Sequence, residues 1–170
     1  MDLKQAIRDI PDFPQEGVLF RDITTLLKDP VAMVESVDQM KAFLEDVDFD
    51  LILGPESRGF IYGMPIAYTM KKGFVPVRKA GKLPAEVISM SYDLEYGSAT
   101  IEIHKDAIKA GDKVVIIDDL LATGGTAKAM VDLVESVGAT VVSLNFLIEL
   151  DFLEGRQALE GQTINSVLHY

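Results

Sequence analysis

The chain has 170 residues, 48% of them hydrophobic and 25% charged, with no cysteine and two histidines. One globular domain with a buried core fits that composition; a disulfide scaffold, a cysteine-ligated metal or iron–sulfur site, a thiol nucleophile and a helical HExxH zinc site do not. Sixteen basic residues against 27 acidic ones leave a net charge of −11, a balance that repels nucleic acid and anionic membranes.

No run of 18 apolar residues occurs, and MDLKQAIRDI lacks the apolar centre of a signal peptide. The expectation is a soluble, cytoplasmic protein with neither nucleic acid nor membrane as partner. In chain order, the first 28 residues contain Pro11, Pro14 and Gly17 and end in VLFRDITTLL, which reads as a cap added to a sheet. DLILG (50–54) is a short apolar strand that stops at Gly-Pro. Residues 59–72 predict a helix closed by Lys71, Lys72 and Gly73. FVPV (74–77) predicts a strand whose Pro76 points to an edge or an irregular pairing.

Residues 80–99 have glycines near both ends and little periodicity. A loop of that length inside a compact domain is usually functional, often a lid. The alternative is a hairpin, with EVISMSY paired to SATIEIH, and a lid at its tip satisfies both. TIEIH (100–104) alternates with period two, like a half-buried strand. KVVIIDD (113–119) is a β-branched run of the kind buried on both faces. Thr126 to Val137 predicts a helix with an apolar stripe at Met130, Val131, Val134 and Val137, stopped by Gly138. TVVSLNFLIEL (140–150) is another buried strand. Alternating strands and helices in this order predict a mostly parallel α/β sheet flanked by helices.

Charge is unevenly spread. From Ser57 to Ala85 there is no Asp or Glu, and Arg58, Lys71, Lys72, Arg78, Lys79 and Lys82 give that stretch a charge of +6. On charge alone, an anion site and a solvated basic face are equally open.

The stretch VVIIDDLLATGGT (114–126) carries the most chemistry. A buried strand ends in Asp118 and Asp119, and a glycine-paired turn leads into a helix. Ligands of open α/β sheets bind beyond the carboxyl ends of strands. The turn Ala122, Thr123, Gly124, Gly125, Thr126 sits at a helix N-terminus, where free N–H groups and the helix dipole favour a phosphate. It is neither a Walker loop nor a GxGxxG turn. Strand alternation sends Asp118 and Asp119 to opposite faces. Such carboxylates can accept hydrogen bonds from ribose hydroxyls or hold magnesium, usually through water. A helix cap plus a solvated strand end is the plain alternative for two aspartates before a glycine turn.

Four hydrophobic residues, Asp-Asp, three residues and Thr-Gly-Gly-Thr together resemble the phosphoribosyl pyrophosphate (PRPP) loop of type I phosphoribosyltransferases. FPQEGVLFRDITTLLKDP (13–30), GPESRGFIYG (54–63), VRKAGKLP (77–84), YDLEYGSATIEIHKDAI (92–108) and LIELDFLEGR (147–156) narrow the likeness to the adenine phosphoribosyltransferase family. These blocks run in that family's order and cover most of the chain.

The resemblance implies one type I phosphoribosyltransferase domain over residues 1–170, with a base-binding hood at about 1–28 and a flexible catalytic loop or hairpin at about 80–99. It implies transfer of phosphoribose from PRPP to adenine, giving AMP and pyrophosphate with inversion. Ala122 to Thr126 would hold the 5′-phosphate, and Asp118 and Asp119 the ribose hydroxyls. Magnesium would bridge pyrophosphate and ribose, reaching both aspartates through water. Glu56, Ser57 and Arg58, with a cis peptide between Glu56 and Ser57, would cradle pyrophosphate beside Arg78, Lys79 and Lys82, some across a homodimer interface. Lys71 and Lys72 would be helix-end charges.

Phe20 and Leu150 would sandwich the purine, and the backbone of Leu19 and Arg21 would read its edge. Glu95, next to Tyr96 in the lid, would be the acid that meets the base, with Arg58 as its catalytic companion. Thr25 stands where many members have proline, which would loosen the cap; His104 and His169 have no catalytic argument. A 6-oxopurine transferase, a PRPP-sensing regulator and a generic nucleotide-binding module are the competing readings. VLFRD and LEYG, together with the absence of room for a DNA-binding domain, favour the adenine enzyme.

Overall fold

The computed structural model describes residues 1–94 and 96–170. Among them, helices are α1 (Thr24–Lys28), α2 (Pro30–Ala42), α3 (Arg58–Met70) and α4 (Gly125–Ser136). Strands are β1 (Arg8–Pro11), β2 (Leu19–Asp22), β3 (Leu51–Pro55), β4 (Gly73–Lys79), β5 (Val87–Asp93), β6 (Ser98–His104), β7 (Lys113–Leu121), β8 (Thr140–Glu149) and β9 (Ile164–His169). β1 and β2 form a separate antiparallel hairpin; the others form one sheet in the order β5-β6-β4-β3-β7-β8-β9. From β4 to β9 neighbouring strands run parallel, and the β5–β6 hairpin adds antiparallel pairs at one edge. A mostly parallel sheet flanked by helices, with a small separate hairpin near the N-terminus, is the architecture that the resemblance implies.

The middle strand explains the layering. Val114, Val115, Ile116 and Ile117 of β7 are each fully buried. Val114 and Ile116 face a core shared with α4 and β5. Val115 and Ile117 face a second core shared with α2, α3 and the cap. Each such burial is worth roughly 1.5–3 kcal/mol, so β7 is clamped from both sides.

Pro76 lies in an interior strand, not at an edge. The Val77 carbonyl accepts from the Glu56 N–H at 2.9 Å, so Val77 faces β3. In a parallel ladder alternate residues face opposite neighbours, which turns the Pro76 nitrogen toward β6. There β6 pairs only with Arg78 and Lys79, so no ladder bond is lost. The 80–99 segment resolves largely into the hairpin alternative, with β5 and β6 in a seven-residue antiparallel register. Ile88, Met90 and Tyr92 alternate inward against the α4 core. Glu102 breaks the expected half-buried pattern of β6: it is buried, and accepts from Ser89 Oγ at 2.6 Å and the Gly81 N–H at 2.8 Å.

Thr25 does not loosen the cap. Its hydroxyl donates to the Ala6 carbonyl at 2.7 Å and ties α1 to the first turn of the chain. Lys72 donates to the Phe49 carbonyl at 2.6 Å, at the far end of α3 from its N-terminus. Lys71 takes the left-handed position that closes α3. No helix among the described residues is long and apolar enough to cross a membrane.

Candidate active site

Three hollows meet above the carboxyl ends of β3 and β7. The first encloses about 350 Å³ and is lined by Pro55 to Arg58, Lys79, Asp118, Asp119 and every residue from Leu120 to Ala127. Strand β7 delivers the two carboxylates, and Gly124, at φ +87°, turns the chain directly into α4. No side chain among the described residues caps that helix, which leaves its first N–H groups at the cavity. Thr126 Oγ1 is 2.9 Å from the Tyr92 hydroxyl, which links the loop to the β5 strand.

Asp118 and Asp119, consecutive residues of β7, both line this one cavity at the strand end. Asp118 Oδ1 accepts from the Asp119 N–H at 2.8 Å. Burial pushes the Asp118 carboxyl well above the usual carboxylate range, and the Asp119 charge adds to it while Arg58 opposes. Arg58 Nε donates to Asp119 Oδ2. Desolvation works against the Arg58 charge, but the attraction and hydrogen bond of Asp119, with Asp118 behind, hold it above its ordinary value.

Across the cavity, β3 ends in a turn whose Glu56–Ser57 peptide is cis, as the resemblance implies. Glu56 Oε1 accepts from the Lys79 N–H at 2.7 Å and from Arg78 Nε at 3.1 Å. The Lys79 amide, with help from Arg78, holds the Glu56 carboxyl below its ordinary range. Glu56 thus ties the basic end of β4 to the cis turn. Arg78 lines a second hollow of about 440 Å³, which shares Pro55, Glu56, Lys79 and Thr126 with the first. Lys82 lines neither; it is exposed on the turn that follows β4.

The third hollow, about 230 Å³, is mainly apolar. Val18, Leu19, Phe20 and Arg21 form one wall, Ile148, Leu150 and Leu153 another, and Arg58, Asp119, Leu120 and Ala122 are shared with the first cavity. Phe20 stacks edge-on against Phe13 with centroids 5.1 Å apart. The Arg21 guanidinium is taken up elsewhere, by Asp9 Oδ1 and the Tyr170 ring at 3.9 Å. Its backbone is the part left for the cleft. Glu95 lies outside the described residues. His104 accepts from the Ala85 N–H at 3.3 Å, and His169 Nδ1 lies 2.8 Å from Asp151, so each is engaged structurally.

Tyr92, Val18, Leu120 and Leu153 were not foreseen as site residues. Strand alternation marks Tyr92 as inward-facing, but nothing local pairs it with Thr126. The other three are apolar residues of ordinary core type, without a distinguishing signal.

Fold and cavity together place the chain among phosphoribosyl transferases: the family model of the phosphoribosyl transferase domain matches residues 34–159. The adenine phosphoribosyltransferase of Lachnoclostridium phytofermentans is 57% identical over 168 residues, spanning 99% of this chain and 97% of that protein. The crystal structure of the enzyme of that name from Thermoanaerobacter pseudethanolicus superposes with a TM-score of 0.96 at 54% identity, covering 99% of this chain and 98% of that one. The Saccharomyces cerevisiae structure, complexed with an imino-altritol bisphosphate and adenine, gives 0.93 at 45% identity, over 98% and 96% of the two chains. The chain belongs to the adenine phosphoribosyltransferase family.

Proposed function

We propose that this protein transfers the 5-phosphoribosyl group of PRPP to N9 of adenine, forming AMP and releasing pyrophosphate. The observation that carries the reading is the shared wall. A polar, glycine-lined cavity and an apolar cleft abut at Arg58, Asp119, Leu120 and Ala122, as a ribose with phosphate at one end and a purine at the other requires. The yeast relative crystallised with a bisphosphate and adenine supports the same division.

The bond from N9 to C1′ forms on the face opposite the departing pyrophosphate oxygen, and positive charge builds on the ribose ring meanwhile. Ala122, Thr123, Gly124, Gly125 and Thr126 seat the 5′-phosphate, and Asp118 and Asp119 accept the ribose hydroxyls. Ser57, Arg58, Arg78 and Lys79 meet the pyrophosphate, with Glu56 orienting the basic strand end. Lys82 reaches it only by movement of its exposed turn. Phe20 and Leu150 hold the purine while backbone groups of Leu19 and Arg21 read its edge. A donor–acceptor mismatch there leaves a buried polar group unpaired, at a cost of about 1–3 kcal/mol. Glu95 takes the N9 proton.

Magnesium fits this donor set. Two carboxylates share the cavity with the glycine-lined loop, an oxygen donor set of the kind a hard cation takes. When bound, the ion would neutralise pyrophosphate, with Asp118 and Asp119 holding it through water. We place the protein in the cytoplasm as a homodimer. Ile61, Met64 and Tyr68 leave an exposed apolar stripe along α3, on the helix whose first turn carries Arg58. Light scattering on a Met64→Asp variant against the parent checks this, with dissociation as the expected result.

The decisive assay incubates the protein with PRPP, magnesium and each purine separately. AMP and pyrophosphate from adenine alone is the expected outcome. Turnover of hypoxanthine or xanthine would reassign the base, and ligand binding without product would make the protein a regulator.

A further inference from the structure

The phosphate loop rests on a second segment of chain that none of the assigned roles uses. A Cβ at Gly155 would lie 2.5 Å from the Ala122 carbonyl oxygen and 3.0 Å from the Leu121 side chain. A Cβ at Gly124 would lie 2.6 Å from the Gly155 carbonyl oxygen and 3.0 Å from the Ala158 Cβ. The two backbones therefore touch with no side chain between them, and only glycine permits the approach. In a close-packed interior such a contact transmits displacement directly.

One ion pair fixes the supporting turn. Arg156, next to Gly155, donates through Nε to Glu149 Oε1 at 2.6 Å and through Nη2 to Oε2 at 2.9 Å. Ser166 Oγ donates to the same Oε2 at 2.6 Å. Glu149 is 4% exposed. It ends β8 directly opposite Leu121, the residue before the loop, and the next N–H, of Leu150, bonds the Leu121 carbonyl at 3.0 Å. The pair thus stands at the root of the loop, yet neither member lines the cavity. A planar two-pronged contact fixes direction as well as distance, which a lysine ammonium does not.

We infer that Arg156 and Glu149 are positioning residues that set the shape of the phosphate loop through Gly155. The affinity for the sugar-phosphate end of the substrate then depends on an ion pair that never touches it. This rests on the proposed seating of the 5′-phosphate at residues 122–126.

The test compares the parent with Arg156→Met, Arg156→Lys, Gly155→Ala and the milder Ser166→Ala. It measures KM for PRPP and for adenine separately, and ribose 5-phosphate binding by calorimetry. Arg156→Met and Gly155→Ala are expected to raise KM for PRPP and the ribose 5-phosphate Kd by about tenfold or more, since small misplacements at a reacting centre are costly. KM for adenine rises less than KM for PRPP, although Leu150 and Leu153 of the base cleft lie in the same turn. Arg156→Lys recovers part of the loss, and Ser166→Ala gives about a two- to threefold change in the same constants. Folded variants that bind ribose 5-phosphate like the parent overturn the inference, as does an equal rise in both KM values. If one variant fails to fold, the others decide. A parent that does not bind ribose 5-phosphate removes the phosphate seat itself and the inference with it.

Discussion

The two ends of the proposed substrate are served by opposite constructions. The phosphate end grows out of the interior: β7 has four consecutive fully buried residues, and its turn is wedged between the start of α4 and the Gly155 segment. The base end hangs on a two-stranded hairpin with an exposed Leu19 and a half-buried Phe20. The hairpin's two strands are joined by their ladder and by the cross-strand pairs Arg8–Asp22 and Asp9–Arg21, and the Arg21 guanidinium over the Tyr170 ring ties it to the body. A highly charged group gains from a fixed cradle whose dipoles need not reorganise. A planar base must enter and leave, and segments that open are drawn from the less stable parts of a fold. Rigidity at one end and tethered mobility at the other thus follow from the chemistry each end handles.

Asp119→Asn attacks the rigid end and carries the largest expected effect. It weakens the partner of Arg58 at the wall between the two hollows. We expect kcat/KM for PRPP to fall roughly 10²–10³-fold, as for loss of a preorganised electrostatic group. A loss within about tenfold would mean that the wall is passive. Glu95→Gln is expected to slow a single turnover by about 10²-fold, the lower range for a general base, with PRPP affinity near that of the parent. Near-normal turnover removes the proton-accepting role.

The same contrast governs what the sequence discloses. Val114 to Thr126 is contiguous, so strand, paired carboxylates and glycine turn can be read in order and set side by side without knowledge of the rest of the fold. The base cleft draws on residues 18–21, 58, 119–122 and 148–153; no spacing rule joins segments so distant, and family likeness alone brought them together. Helix α2 carries its start signal in the sequence: Asp29 accepts from the Val31 and Ala32 N–H groups, and Pro30 takes the first helical position. Strand β9 has polar Asn165, Ser166 and His169 among its apolar residues, which hides it. Tyr92 and Thr126 meet across 34 residues, and only the folded sheet edge reveals that contact.

At the tethered end, Phe20→Ala removes one face of the cleft. An aromatic contact contributes about 0.5–1.5 kcal/mol beyond its buried area, so KM for adenine is expected to rise about tenfold while KM for PRPP stays near that of the parent. Parallel rises in both constants would show that hood and loop are a single rigid unit, contrary to the contrast drawn above.

Asp22→Asn is the gentlest probe, because it loosens the tether without entering the cleft. Asp22 Oδ1 accepts from the Thr24 hydroxyl and N–H, and Oδ2 accepts from Arg8. The Thr24 contacts first, then Arg8, hold its carboxyl down at about 2, against an ordinary 3.8. A carboxylate depressed in the folded state lends its stability above the unfolded value and loses it as pH falls through the folded one. The stability gap between parent and Asp22→Asn should therefore be constant from neutral pH down to about 4, then close toward pH 2. Protection factors of the Arg8–Ile10 and Leu19–Asp22 amides should fall over the same interval in the parent, while amides of Lys113–Leu121 stay protected. A gap that persists unchanged to pH 2 would show that the Asp22 charge is not what holds the hood, and the hairpin's attachment would have to be sought in the apolar contacts of Ile7 and Ile23 instead.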